Sequence, residues 1–140
     1  MNNNVLFISE KTLKQTTFIP ENLDAAYLTQ PIVYAQDSLV QPILGGKLYH
    51  RLQDGIANDD LNENETTLLK NYIQPILCNQ VLSDIVMEIS FKVRNLGVVT
   101  TSDTNVYNAS MKDCQYLQQM YADRAAFYVN RLEEYLKCNY

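Results

Sequence analysis

A proline at position 42 sits inside a stretch that otherwise spells a helix, and no other feature restricts the fold as much. Over residues 31–52, Ile32, Ala35, Leu39, Val40, Ile43 and Leu44 recur at steps of three and four, the spacing of one helical face. Pro42 has no amide hydrogen and its ring crowds the preceding turn, so the helix is expected to end or kink near Gln41. Gly45-Gly46 then relaxes the backbone, and Lys47 to Leu52 starts a second short helix through Leu48, Tyr49 and Leu52. Taken alone, this is a corner of a core. The phrase then returns: Gln41-Pro42-Ile43-Leu44 is echoed by Gln74-Pro75-Ile76-Leu77. Two kinked helices of similar wording are expected to pack with their bends in register. Two copies are too few for a solenoid, which needs at least about three repeats to bury a core.

Around this centre the chain reads as one all-α domain over 1–140, a bundle of four to five helices. Residues 1–20 form an N-terminal arm and a short helix. The apolar patch Val5-Leu6-Phe7-Ile8 is expected to be a brief strand or an arm docking on a neighbour. Ser9 is placed to cap a helix over Glu10 to Thr17 with Leu13 inward. Asn22 or Asp24 opens the next element, and Pro31 restarts it. From Gln53 to Asn64 the chain turns polar and acidic and reads as a solvated loop. No calcium-loop register fits it, because Gly55 comes too early. Asn62 with Glu65 has the form of a capping box and opens a long helix to about Asn95, bent at Pro75.

Gly97 is expected to end that helix as its left-handed cap. The β-branched run from Val98 to Tyr107 then reads as a β-hairpin-like projecting loop over 97–109. Ser110 with Asp113 gives a second capping signature for a C-terminal helix over 110–137. In that helix Cys114, Tyr121, Tyr128 and Tyr135 recur every seven residues, joined by Ala125 and Leu132, and this stripe is expected to pack on the long helix. A second stripe of Tyr116, Met120 and Phe127 points elsewhere, with Arg124 and Arg131 between the two. A helix apolar on two faces asks for two partners. The expected interface residues are therefore Val98, Val99, Thr100, Asp103, Val106 and Tyr107 of the loop, and Tyr116, Met120, Arg124, Phe127 and Arg131 of the helix.

Chemistry is sparse. His50 is the sole histidine and has no Cys or Asp companion at a catalytic or zinc spacing. Cys78, Cys114 and Cys138 are odd in number and far apart, and read as reduced small hydrophobes. Asp84 and Glu88 are four apart, but Glu88 and Lys92 repeat that spacing, which is ordinary helix surface charge. Neither a phosphate-cradling loop nor a dinucleotide fingerprint occurs, so neither catalysis nor a cofactor or metal is expected. The net charge of −5 disfavours dedicated nucleic-acid binding. No run approaches the roughly 18 apolar residues of a membrane span, and the polar start lacks a secretory n-region. Ten tyrosines against four phenylalanines suit half-exposed surfaces that become protein interfaces.

The run Ala35-Gln36-Asp37, Gln41-Pro42-Ile43-Leu44-Gly45 and Leu48-Tyr49, then Tyr72-Ile73-Gln74-Pro75 and a C-terminal Tyr/Arg-rich helix, resembles the small helical head–tail connector (adaptor or ring) proteins of tailed bacteriophages. It is most similar to those of phages infecting gut Bacteroidetes, including the crAss-like group. The likeness runs from about Leu13 to Leu136. It departs at Gly46, where relatives often carry Thr or Ser, and after Gly97, where alignment is difficult. The resemblance implies a structural virion protein at the head–tail interface, made in the host cytoplasm. It implies a homo-oligomeric ring, commonly of twelve subunits, under a portal protein, with neighbouring tail or ring proteins as further partners and DNA passing without specific binding. On that reading Asp59, Asp60 and Glu63 keep DNA from sticking if they line the channel. The alternative from another class is a small cytoplasmic helical binding module or assembly adaptor acting as monomer or dimer.

Overall fold

Both Gln-Pro phrases lie inside long helices, and both are accommodated in the same way. The computed structural model describes residues 5–17, 19, 23–96 and 104–140, of which 89–96 and 104–110 in backbone only; among these residues the chain is all-α with no strand. Five helices follow one another: α1 (Glu10–Thr16), α2 (26–44), α3 (Gly46–Asn58), α4 (63–96) and α5 (Thr104–Asn139). Within α2 the turn Gln36–Val40 is widened to π geometry, and within α4 the turn Leu68–Ile73. The Gln41 amide donates to the Gln36 carbonyl and the Gln74 amide to the Leu69 carbonyl, five residues back rather than four. Widening the ladder just ahead of each proline makes room for a ring that would otherwise strike the carbonyl four residues back. Neither helix ends at its Gln-Pro. Past Pro42, α2 continues to Leu44, and the part of α4 that begins at Gln74 runs 23 residues to Leu96.

Pro31 does not restart an element. It falls in the second turn of α2, which begins at Ala26 with the Asp24 carboxylate accepting the Ala26 amide at 3.0 Å. The helix stops at Gly45, whose φ of 81° and ψ of 156° lie in a region essentially restricted to glycine. The Gly45 amide closes α2 on the Gln41 carbonyl (2.9 Å), and its own carbonyl accepts the Tyr49 amide (3.1 Å) to open α3.

Two boundaries differ from the sequence expectation. The polar run after Leu52 is not yet loop: α3 continues to Asn58 because Tyr49, Leu52, Gln53 and Ile56 keep one face inward. It ends where Asp59 takes the left-handed conformation (φ 54°) and the Asp60 amide reaches back to the Gly55 carbonyl at 2.9 Å. The second half of the expected hairpin is also helix. Thr104 to Tyr107, including Val106, open α5, and Ser110 lies inside it rather than capping it. Strand preference of single residues depends on context, whereas an established helix gains one hydrogen bond for each residue added. Val98, Val99, Thr100 and Asp103, the first half, lie outside the described residues.

The ends of the core are joined by the N-terminal arm, which docks on its own chain. Phe7 and Ile8 are buried with Leu13 of α1, Leu28 and Ile32 of α2, Leu52 of α3, Ile76 and Val81 of α4 and Leu132 of α5 in one apolar cluster. Gln36, itself buried at 2% exposure, holds the arm by both amide atoms. Its Oε1 accepts the Phe7 amide at 2.6 Å and its Nε2 donates to the Val5 carbonyl at 3.1 Å. From α4, Gln74 Nε2 donates to the Phe7 carbonyl at 2.9 Å. The Phe7 ring meets Tyr49 edge-on with centroids 5.1 Å apart, and the Tyr49 hydroxyl donates to Asp37 Oδ1 at 2.7 Å. Burial, and then that bond, push the Tyr49 phenol up to about 12.

Removing the Gln36 amide would leave a buried backbone donor and acceptor unpaired. Gln36→Leu is therefore expected to cost about 2–3 kcal/mol in urea unfolding, and Gln30→Leu, at an exposed position of the same helix, less than about 0.5 kcal/mol.

Candidate functional site

The long helix α5, 36 residues and so roughly 54 Å, presents two faces of different character. Inward, Cys114, Ala125 and Leu132 are buried and Tyr121, Tyr128 and Tyr135 are half-buried against α4. Ser83 of α4 donates its hydroxyl to the Gln118 carbonyl at 2.9 Å, and Tyr72 stacks on Tyr135 with centroids 4.1 Å apart. The heptad stripe read in the sequence is the packing seam.

The second stripe faces outward. Tyr116 is 71% and Phe127 58% exposed, while Met120 is half-buried beside them. Arg124 and Arg131 are exposed as well, each guanidinium lying over a tyrosine ring, Tyr121 at 5.6 Å and Tyr72 at 5.5 Å. Among the described residues neither arginine forms an ion pair with a carboxylate. Phe127 stands between two shallow grooves, one shared with Asn79, Met120 and Arg124, the other with Tyr72, Arg131 and Cys138. An apolar ring flanked by cations that stack rather than pair is the composition of a protein-contact surface.

The acidic residues expected at a channel wall each have a local partner or position. Asp59 supplies the left-handed turn, Glu63 sits in the first turn of α4 where the helix dipole favours an anion, and Asp60 meets Arg51 at 3.2 Å. Arg51 also forks onto Glu65, Nε to Oε2 at 2.8 Å and a terminal nitrogen to Oε1 at 2.9 Å. The capping box closes around the same carboxylate: the Glu65 amide donates to Asn62 Oδ1 at 2.8 Å and the Asn62 amide to Glu65 Oε1 at 3.0 Å. The bonds from Arg51 hold the Glu65 carboxyl below its ordinary range, against a smaller opposing effect of burial.

Sequence reasoning missed a third surface. Between α2 and α4 runs a groove walled by Tyr27, Pro31 and Tyr34 on one side and by Asp84, Ile85 and Glu88 on the other. Tyr27 is 48% and Tyr34 67% exposed. Burial raises the Asp84 carboxyl above its usual value, partly offset by the hydrogen bond from Gln80 Nε2 at 3.0 Å. The signal was there: Tyr27 and Tyr34 are seven apart and so share a helical face. His50 bonds to Gln53 (3.1 Å), and among the described residues no group of three metal-ligating side chains converges.

The described residues define an all-α protein that exposes aromatic rings beside charged groups, on α5 and between α2 and α4. The chain belongs to the family described as "Family of unknown function (DUF6712)", whose model matches residues 40–140. Comparison with curated proteins and with solved structures finds no match.

Two outcomes follow from this geometry. Replacing Tyr116 and Phe127 together by Ser is expected to change unfolding stability by less than about 1 kcal/mol, whereas Leu132→Ala costs about 2–5 kcal/mol. The Glu65 carboxyl titrates lower folded than unfolded, so its stabilising contribution is complete above the ordinary value of about 4.3. It is lost as pH falls through the folded value. Thermal melts across pH 2–7 should therefore show a steeper acid loss in the wild type than in Glu65→Gln.

Proposed function

We propose that this protein is a structural subunit of a phage head–tail connector: copies close into a ring beneath the portal, extend the DNA channel and give tail components a docking surface. The observation that carries the reading is the outward face of α5, where Tyr116 and Phe127 stand exposed beside two arginines that, among the described residues, pair with no carboxylate. A ring closes through a heterologous contact, so each subunit must offer two unlike patches. Together with the groove between α2 and α4, the α5 face supplies two. The two long helices, bent at Gln41-Pro42 and Gln74-Pro75, hold the aperture. The acidic turn at 59–63 faces the channel, where like charge keeps DNA from adhering.

Mass in solution tests this. Light scattering on the protein alone and then mixed with the portal protein of the same virus is expected to give a ring-sized assembly on the portal. A protein that stays monomeric or dimeric and does not bind the portal overturns the reading in favour of a cytoplasmic helical binding module.

A further inference from the structure

The groove between α2 and α4 carries two carboxylates and the outer face of α5 two arginines among its charged groups, and both expose aromatic rings. In the groove, Asp84 and Glu88 are the charged groups, and Tyr27 and Tyr34 present rings. On α5, Arg124 and Arg131 are the cations, with Phe127 and Tyr116 exposed next to them. The same face also carries Asp123, which accepts from Gln119 at 2.9 Å, and Glu134, which meets Lys137 at 3.8 Å, with Asp113 exposed further along it. Among the described residues Arg124 and Arg131 form no ion pair with these acids. A guanidinium entering the groove would meet two carboxylates and two tyrosine rings, groups that attract arginine by charge and by cation–π contact.

The two patches also lie on different sides of the body. Along α4, Asn79 and Ser83 turn toward α5, whereas Asp84 and Glu88 turn toward the groove. At about 100° per residue these directions diverge by roughly 140°, so one molecule can use both patches at once without either covering the other. That is the requirement for a head-to-tail contact.

We infer that the groove lined by Tyr27, Tyr34, Asp84 and Glu88 receives the Arg124–Phe127 face of a second copy of this chain. The inference rests on the ring reading only for the number of copies that close; the contact itself is a property of the isolated protein. It is expected to be weak, with dissociation between about 0.1 and 1 mM, because one groove and one helix face are involved.

Sedimentation velocity from about 10 μM to about 1 mM reads the contact directly. The wild type is expected to gain mass with concentration. Glu88→Arg and Arg124→Glu, both at exposed positions and both checked for an unchanged circular-dichroism melt, should each weaken association at least about tenfold. An equimolar mixture of the two variants should restore it, since each reversed patch then finds a complementary one. A wild type that remains monomeric throughout overturns the inference, as does association that neither reversal weakens or that the mixture fails to restore. In the last two cases the ring reading stands, with other surfaces, and portal binding decides it separately.

Discussion

Two amide hydrogens that proline cannot supply shape this protein more than any contact it makes. At Pro42 and again at Pro75 the helical ladder lacks a donor, and both times the chain answers by slipping one register ahead of the ring, with Gln41 and Gln74 bonding five residues back. The slip lets the helices pass through proline instead of stopping there. It also falls at the place where the core is tied together. Gln36, at the start of one wide turn, and Gln74, at the end of the other, both reach the backbone of the N-terminal arm. The defect and the anchor share an address, and the apolar arm is held there by side-chain amides.

Helix boundaries set by local chemistry were legible in the sequence, and those set by packing were not. Ser9 accepts the Thr12 amide and Asn62 forms its reciprocal box with Glu65, as those side chains dictate within four residues. Gly45 breaks α2 for the same kind of reason. By contrast, Gln53 reads as loop until one sees that it lies inward with Tyr49, Leu52 and Ile56, and that Gly55 leaves only 2.3 Å between a Cβ and the Leu61 side chain. The start of α5 was hidden by strand-favouring residues at Val106 and Tyr107. Yet Tyr107 stands seven residues before Cys114, so the heptad stripe already ran to it.

The surfaces divide in the same way. The outward stripe of α5 was legible because periodicity alone separates it from the inward one. The spacing of Tyr27 and Tyr34 marks one wall of the groove between α2 and α4, but only the assembled fold brings the other wall to it, since Tyr34 and Glu88 are more than fifty residues apart. The partner of the acidic turn was likewise out of reach of the sequence: Arg51 gathers both Asp60 and Glu65, so the turn that carries them also fastens α3 to α4.

The arm has a consequence for how the chain comes together in time. Its anchors are 31 residues away at Gln36 and 67 residues away at Gln74, yet it leaves the ribosome before either. Contacts that close such long loops form late, so Phe7 and Ile8 must wait, apolar and unsheltered, while α2 and α4 find each other. The arm is thus synthesised before the helices that hold it and latches after them.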